Sequence, residues 1–478
     1  MLNKGFISRA INVCSYAILL AGFITIASCA YMMVVSYSSL PYWDGWVQVN
    51  YAADGGNPFA LEWLWSQLNE HRMPIPKLFL LADLHWFHAT QVFLLSSIFV
   101  IQFLHLLVLS WSMWVFGGWR GAVWRTGVGL AAFCLFCLSQ WENLTWGMQV
   151  CFVLPGLFAS LSFVGLLAYW LRSNQPSGAR SSNWKYLLLS IAAALGATWS
   201  YVNGNLLWPM LVAAAVLLRL RLRVVLGYVI AGALSAVLYF NDYTRPLNPM
   251  SFTEMPVNVL KFLTAYFGSS WISGDFPYRF RLAEAVGLIG LAVSCFLIWR
   301  LWTYVRNCRT LSVQLVLISV FCVGTGALTS IGRAGFGIIW AFNSRYQTVS
   351  LLFWCCLGLL LLGGASALQL RSSVPLLLSQ VIFFAIMLVA ARYAKTPLLR
   401  ARVRGFKLNA AAMALVTSVP DAEQLRWALP RLDYVPSVVR YMRQWRLSVF
   451  DEPNSWLLGK PLESVFKLAP SSECTGEL

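Results

Sequence analysis

Charge is what this chain has least of. Asp, Glu, Lys and Arg make up 11% of its 478 residues, against 59% hydrophobic ones. So thin a polar cover excludes a soluble globular protein, and several apolar runs exceed the roughly 18 residues that cross a bilayer. Acidic residues are scarcer still, 18 against 35 Lys and Arg, which leaves a net charge of +17. Histidine occurs four times. No internal repeat of the kind that secondary transporters often carry is visible.

The expected fold is therefore all-α and polytopic, with about eleven transmembrane helices. The apolar stretches lie at 11–37, 90–116, 122–139, 150–171, 186–202, 205–220, 224–241, 283–303, 311–331, 346–366 and 374–392. The two that flank Asn203-Gly204-Asn205 are short enough to be broken or tilted. With the N-terminus in the cytoplasm, the inner segments carry Lys4, Arg9, Arg120, Arg125, Arg172, Arg180, Lys185, Arg219, Arg221, Arg223, Arg300, Arg306, Arg309 and Arg371, and no acid. Short loops of that composition are the positive-inside signature. The basic excess is thus a topology signal and calls for no nucleic-acid partner. Ile26-Ala27-Ser28-Cys29 resembles a lipoprotein cleavage box, but the apolar run continues through Val35, so an uncleaved span is expected. The cysteines fall mostly inside spans and read as small packing residues rather than metal or redox groups.

The long connections lie on the other side, at about 38–89 and 242–282, with a C-terminal domain over 393–478 that the span count places there too. Residues 1–392 form the transmembrane part. In the first long loop Trp63, Trp65 and Trp86 suggest helices lying along the interface. The tail, from Arg400-Ala401-Arg402-Val403-Arg404 to Arg446-Leu447-Ser448-Val449-Phe450, reads as small, helical and partly membrane-associated.

Polar clusters concentrate on this outer side. Asp44 follows the first span in Tyr42-Trp43-Asp44-Gly45-Trp46. Asn69-Glu70-His71-Arg72 precedes Pro74-Ile75-Pro76-Lys77. Gln140-Trp141-Glu142-Asn143-Leu144-Thr145-Trp146-Gly147-Met148-Gln149 is a whole loop, and Arg333 with Ser344-Arg345-Tyr346 brackets another. Carboxylates, one imidazole and arginines beside an apolar surface suit a lipid phosphate, whose chain needs a groove and whose head needs Arg or Lys. A nearby carboxylate would serve as general base toward a hydroxyl.

These motifs resemble the GT-C superfamily of membrane glycosyltransferases, and more closely a bacterial group of GT-C-like membrane proteins with the same Asn-Glu-His-Arg and Gln-Trp-Glu-Asn-Leu-x-Trp-Gly-x-Gln patterns. The resemblance covers nearly the whole chain. It implies a bacterial inner-membrane enzyme with a periplasmic active face, a polyprenyl-phosphate sugar as donor, and a glycan, lipid or protein as acceptor. Asp44, Glu70, His71 and Glu142 would then be catalytic, with Asp44 as the base and inversion at the sugar. Arg72, Lys77, Gln140, Asn143, Gln149, Arg333, Arg345 and Tyr346 would bind substrate. Trp43, Trp46 and Trp141 are candidates for stacking on sugar faces. One departure is Gly45, where many GT-C enzymes carry a second acid. Paired-carboxylate metal binding is weakened by it and Glu70 is left to supply the second charge, so Glu142, Glu70 and His71 would orient the acceptor or bind a divalent cation. A surface-polysaccharide polymerase or ligase, and a lipid or polysaccharide transporter, remain as alternatives.

Overall fold

A computed structural model describes residues 4–174, 183–244, 256–272, 276–307, 309–368, 373–429 and 431–451. Arg180, Arg371, much of the second long loop and residues 452–478 of the tail lie outside them.

The chain begins with α1 (Lys4–Val35), then α2 (Val47–Ala53), α3 (Leu61–Trp65), strands β1 (Gln67–Leu68) and β2 (His71–Arg72), and α4 (Pro74–Trp86). The bundle continues with α5 (Val92–Val115), α6 (Gly121–Phe136), α7 (Trp141–Thr145), α8 (Val150–Ser173), α9 (Trp184–Thr198), α10 (Leu207–Leu217), α11 (Leu222–Phe240) and α12 (Pro256–Gly268). It closes with α13 (Arg279–Trp299), α14 (Leu301–Arg306), α15 (Thr310–Arg333), α16 (Gln347–Leu368) and α17 (Val374–Tyr393). The tail supplies α18 (Lys395–Thr417), α19 (Ala422–Ala428) and α20 (Val435–Trp445).

Among the described residues nine helices are long and apolar enough to cross a membrane, and Trp184–Thr198 and Val202–Leu217 are shorter apolar ones. The short pair falls where the sequence places its two weak spans. Between them Val202–Leu206 forms a 3-10 turn. Outward faces such as Val13, Leu20 and Ile24 on α1 or Val229, Leu234 and Val237 on α11 are apolar and exposed, as lipid-facing surfaces must be.

Lipid offers no hydrophobic drive between helices, so contact depends on close packing of small residues. The α1–α6 crossing shows this. A Cβ on Gly22 would lie 2.7 Å from the Gly129 carbonyl oxygen, and one on Gly129 would lie 2.5 Å from that of Ile18. Backbone meets backbone there, with nothing flexible to give way.

The fold is all-α as expected, with one two-stranded hairpin added, Gln67 opposite Arg72 and Leu68 opposite His71. Asn69 turns it at φ +51°, a left-handed conformation that Asn tolerates better than most residues. One expectation needs correcting, at 242–282. Its described helix α12 is no surface loop, since Phe262, Ala265, Tyr266 and Phe267 belong to the bundle core, and the Phe267 carbonyl accepts from Trp354 Nε1 at 2.7 Å.

The described part of the tail shares its core with the first loop. Leu408, Ala411, Leu415, Leu425, Val438, Met442 and Phe450 share one apolar cluster with Leu40, Trp46, Val49, Leu84 and Ala89. Trp46 Nε1 donates to the Ala428 carbonyl at 3.0 Å, and Ser448 Oγ donates to that of Ser39 at 2.6 Å. The tail and the first loop therefore occupy the same end of the bundle. Of the loop's three expected interfacial tryptophans, Trp63 is buried, Trp65 rests on Trp199 at 4.7 Å, and Trp86 alone is largely exposed.

Replacing Gly129 by Leu should lower the unfolding temperature in detergent, since overpacking costs about 1–3 kcal/mol. Gly364→Leu, where a Cβ meets nothing within 4 Å, should leave it nearly unchanged. Equal effects would refute the close α1–α6 crossing.

Candidate functional site

The first long loop, the α7 loop, the 333–346 segment and the tail meet at one end of the bundle. Asp44 lies in a 3-10 turn, Trp43–Trp46, which packs against the Gly147–Gln149 turn that starts α8. The residue before it, Trp43, has φ +45°. Left-handed backbone at a bulky residue is strained, and such strain gathers where side chains are held for function. The Asp44 carboxylate is half-buried and has no hydrogen bond or ion pair within the described residues. Burial raises its pKa, Glu70 adds to the rise, and Arg345 opposes it.

Glu70 sits at the hairpin turn and pairs with Arg333 at the end of α15. The Arg333 guanidinium also hydrogen-bonds the Tyr346 hydroxyl. His71 Nε2 lies 3.6 Å from Glu70 Oε1, too far for a hydrogen bond, and the ring stacks on Tyr201 with centroids 3.8 Å apart. Burial, helped by Arg333, pushes the His71 pKa down to about 3. The imidazole is neutral at pH 7, so Glu70 takes its countercharge from Arg333 alone.

Glu142 opens α7. Its Oε2 accepts from Ser344 Oγ, and Asn143 Nδ2 donates to the Arg345 carbonyl at 2.7 Å. These bonds tie the α7 loop to the Ser344–Tyr346 turn and so set the position of Arg345. The Arg345 guanidinium stands 5.9 Å from the Trp146 ring centre. Its Nε is buried without a partner, and no carboxylate among the described residues pairs with it. Asp44 and Arg345 are thus in each other's field without touching.

Several expected binding residues turn out to be braces. Lys77 is buried, and its Nζ donates to the Trp63 carbonyl at 2.5 Å and to the Ser66 carbonyl and hydroxyl at 2.7 Å each. Burial and the nearby Arg72 bring its pKa to about 8, so it stays charged at pH 7. Arg72 donates to the carbonyls of Trp65 and Asn241, which fastens the hairpin to the end of α11. Gln140 donates to the Leu135 carbonyl at 2.7 Å and accepts from Thr348 at 2.6 Å. Gln149 is buried at the start of α8, and its Oε1 has no partner among the described residues. Of the three tryptophans, Trp46 is buried, Trp141 lies 4.7 Å beneath the Arg404 guanidinium, and Trp43 is exposed.

The sequence reading missed three members. Tyr42 packs edge-on to Trp146 at 4.9 Å. Burial raises its pKa, while Arg404, Glu142, Arg345 and Asp44 all act on it, which makes it the residue where the fields of the site overlap. Tyr201 is the floor under His71. Arg404, from the tail, donates to Thr145 and keeps Nη1 buried without a partner. Its signal lay in phase: Arg404 shares the inward face of α18 with Ala401, Leu408, Ala411 and Leu415.

A divalent cation does not fit this donor set. Among the described residues no three His, Cys, Asp or Glu side chains come together as metal ligands. Glu70 is neutralised by Arg333, and His71 faces Tyr201. Compared with family models, curated proteins and solved structures, the chain matches none.

Glu70→Gln and Arg333→Gln, alone and combined, should show a coupling of about 0.5–3 kcal/mol in unfolding experiments; additive losses would mean that the pair is not formed. Lys77→Met should cost about 1–3 kcal/mol by stranding three buried oxygens. A fully stable Lys77→Met protein would contradict its role as a brace.

Proposed function

We propose that the protein transfers a sugar from a polyprenyl-phosphate donor to a hydroxyl of a cell-envelope acceptor. The observation that carries this reading is the unequal pairing of charges. Glu70 is neutralised by Arg333, whereas Asp44 feels the charge of Arg345 and forms no ion pair among the described residues. Unpaired charge is costly at a membrane boundary and is retained where a ligand completes it.

In this mechanism the acceptor oxygen loses its proton to the Asp44 carboxylate as it bonds to the anomeric carbon. The bond from that carbon to the phosphate oxygen breaks, and the electron pair leaves with the phosphate. Attack opposite the leaving group inverts the configuration. Arg345, held by the Asn143 bond and flanked by Trp146, stabilises the charge that develops on the phosphate, as preorganised donors do best in a site with little water. The raised pKa of Asp44 makes it a better base than an ordinary carboxylate. Glu142, fixed by Ser344, and Tyr42 border the acceptor side. Exposed Trp43 is the one tryptophan of the three free to stack on a sugar. Arg404 holds Trp141 and Tyr42 in place.

The same proposal includes an orientation. Lys4, Arg9, Arg120, Arg125, Arg219, Arg221, Arg223, Arg306 and Arg309 lie toward helix ends away from the site, which by the positive-inside rule supports a cytoplasmic side for them and an outer side for the site. In a bacterial inner membrane that side is the periplasm, where lipid-linked sugars are consumed. All eleven apolar stretches would cross, the two short helices doing so as a hinged pair.

Asp44→Asn should lower transfer by about 10²–10⁴-fold in membranes supplied with a labelled polyprenyl-phosphate sugar, with insertion unchanged. Near-normal transfer would sink the assignment. For the wild type, activity should fall as pH drops through the Asp44 pKa, at a pH above the usual carboxylate value, because only the ionised form takes the proton. Arg345→Ala should raise the donor KM by about tenfold or more, equal to losing a charge-assisted contact; an unchanged donor dependence would remove Arg345 from the phosphate.

A further inference from the structure

The site's helices carry a second feature at their far ends. α15 ends at Arg333 and α16 begins just after Arg345, so both have their other termini across the bundle, beside the turn that follows α5. There a cleft of about 400 Å³ opens between that turn, the first turns of α15 and the last turns of α16. Nothing in the glycosyl-transfer reading uses it.

The cleft has two kinds of wall. Leu311, Leu315, Leu359 and Leu360 supply the apolar one, while Arg120 and Arg309 stand among its lining residues, which include no acid. Arg120 is held rigidly: its Nη1 donates to the carbonyls of Trp114 and Trp119 at 2.7 Å each, and its guanidinium lies 3.5 Å over the Trp114 ring. Arg309 is exposed and has no side-chain partner among the described residues. Gly118 takes φ +62°, and a Cβ there would meet nothing within 4 Å, so the backbone borders open space.

Two further observations narrow the ligand. Trp111 and Trp114 are partly exposed on the adjoining turn of α5, the placement of an aromatic belt at the level of lipid headgroups. The N-terminal end of the α15 dipole adds partial positive charge beside Arg309. Cationic pockets between transmembrane helices, continued by apolar wall, match an anionic headgroup with its first acyl carbons.

We propose that this cleft binds one anionic phospholipid, its phosphate between Arg120 and Arg309 and its upper acyl carbons on Leu311, Leu315, Leu359 and Leu360. The site is separate from the sugar-transfer site and does not depend on it. An uncharged or zwitterionic lipid would satisfy only the apolar wall.

The test is lipid retention by the full-length protein, purified in mild detergent, exchanged with defined lipid and weighed by native mass spectrometry. With equimolar phosphatidylglycerol and phosphatidylcholine, one phosphatidylglycerol should be retained preferentially. Arg309→Glu should cut that retention by about tenfold or more, since near-surface cationic attraction becomes repulsion. Ser312→Trp, which fills the cleft without changing charge, should do the same. Arg306→Glu reverses an exposed charge outside the cleft and should leave retention intact, and gel filtration checks that each variant is folded. Equal retention of the two lipids would overturn the proposal. So would a loss in Arg306→Glu that matches Arg309→Glu, or retention unchanged in both cleft variants. Displacement of phosphatidylglycerol by equimolar polyprenyl phosphate would overturn the choice of occupant.

Discussion

Charge placed at a membrane boundary must find a countercharge, and the organisation of this protein follows from how that demand is met. Glu70 and Arg333 satisfy each other across a long stretch of sequence. In doing so they join the hairpin of the first loop to the end of α15. Lys77 is enclosed by carbonyls and a hydroxyl, and two nitrogens of Arg72 donate to carbonyls while its Nε is buried without a partner, so two cations become part of the loop's frame. Asp44 and Arg345, both partly buried, form no ion pair among the described residues, and the braced segments around them set their positions.

Much of this was legible before any coordinates. Apolar run length located the membrane helices, and even the weakness of the runs beside Gly204 corresponded to a physical break. The concentration of polar motifs at one end followed from charge segregation. The division of labour within the motifs was not legible. Lys77 and Arg345 look alike in one dimension, yet one is enclosed by three oxygens and the other is left open. That difference depends on where Trp63 and Ser66 fold back, which no local pattern encodes. The hairpin was missed because a two-residue strand has no periodicity to read, and Asn69-Glu70 lacks the glycine that usually marks such a turn.

Arg404 illustrates a different limit. In sequence it is one arginine in a basic run, and nothing in the composition of that run sets it apart from Arg400 and Arg402. Helical phase separates it from Arg400 and Arg402, which are exposed, and places it against Trp141 and Tyr42. The information was present, but reading it required knowing that α18 lies against the bundle instead of standing free. Tyr42 was hidden for a related reason: its importance comes from four charged groups delivered by four separate segments.

The cluster that joins the tail to the first loop bears on how the protein comes into being. Ser39, Trp46 and His88 are made early, while Ala428 and Ser448, which they bond, are made hundreds of residues later. During synthesis the first loop therefore waits with Leu40, Trp46 and Val49 uncovered. Ribosomes that stop before α18 would release a chain with its membrane helices in place and its working face unassembled. Assembly of this end of the bundle is in this sense a late event of biogenesis, completed only when the tail reaches the first loop.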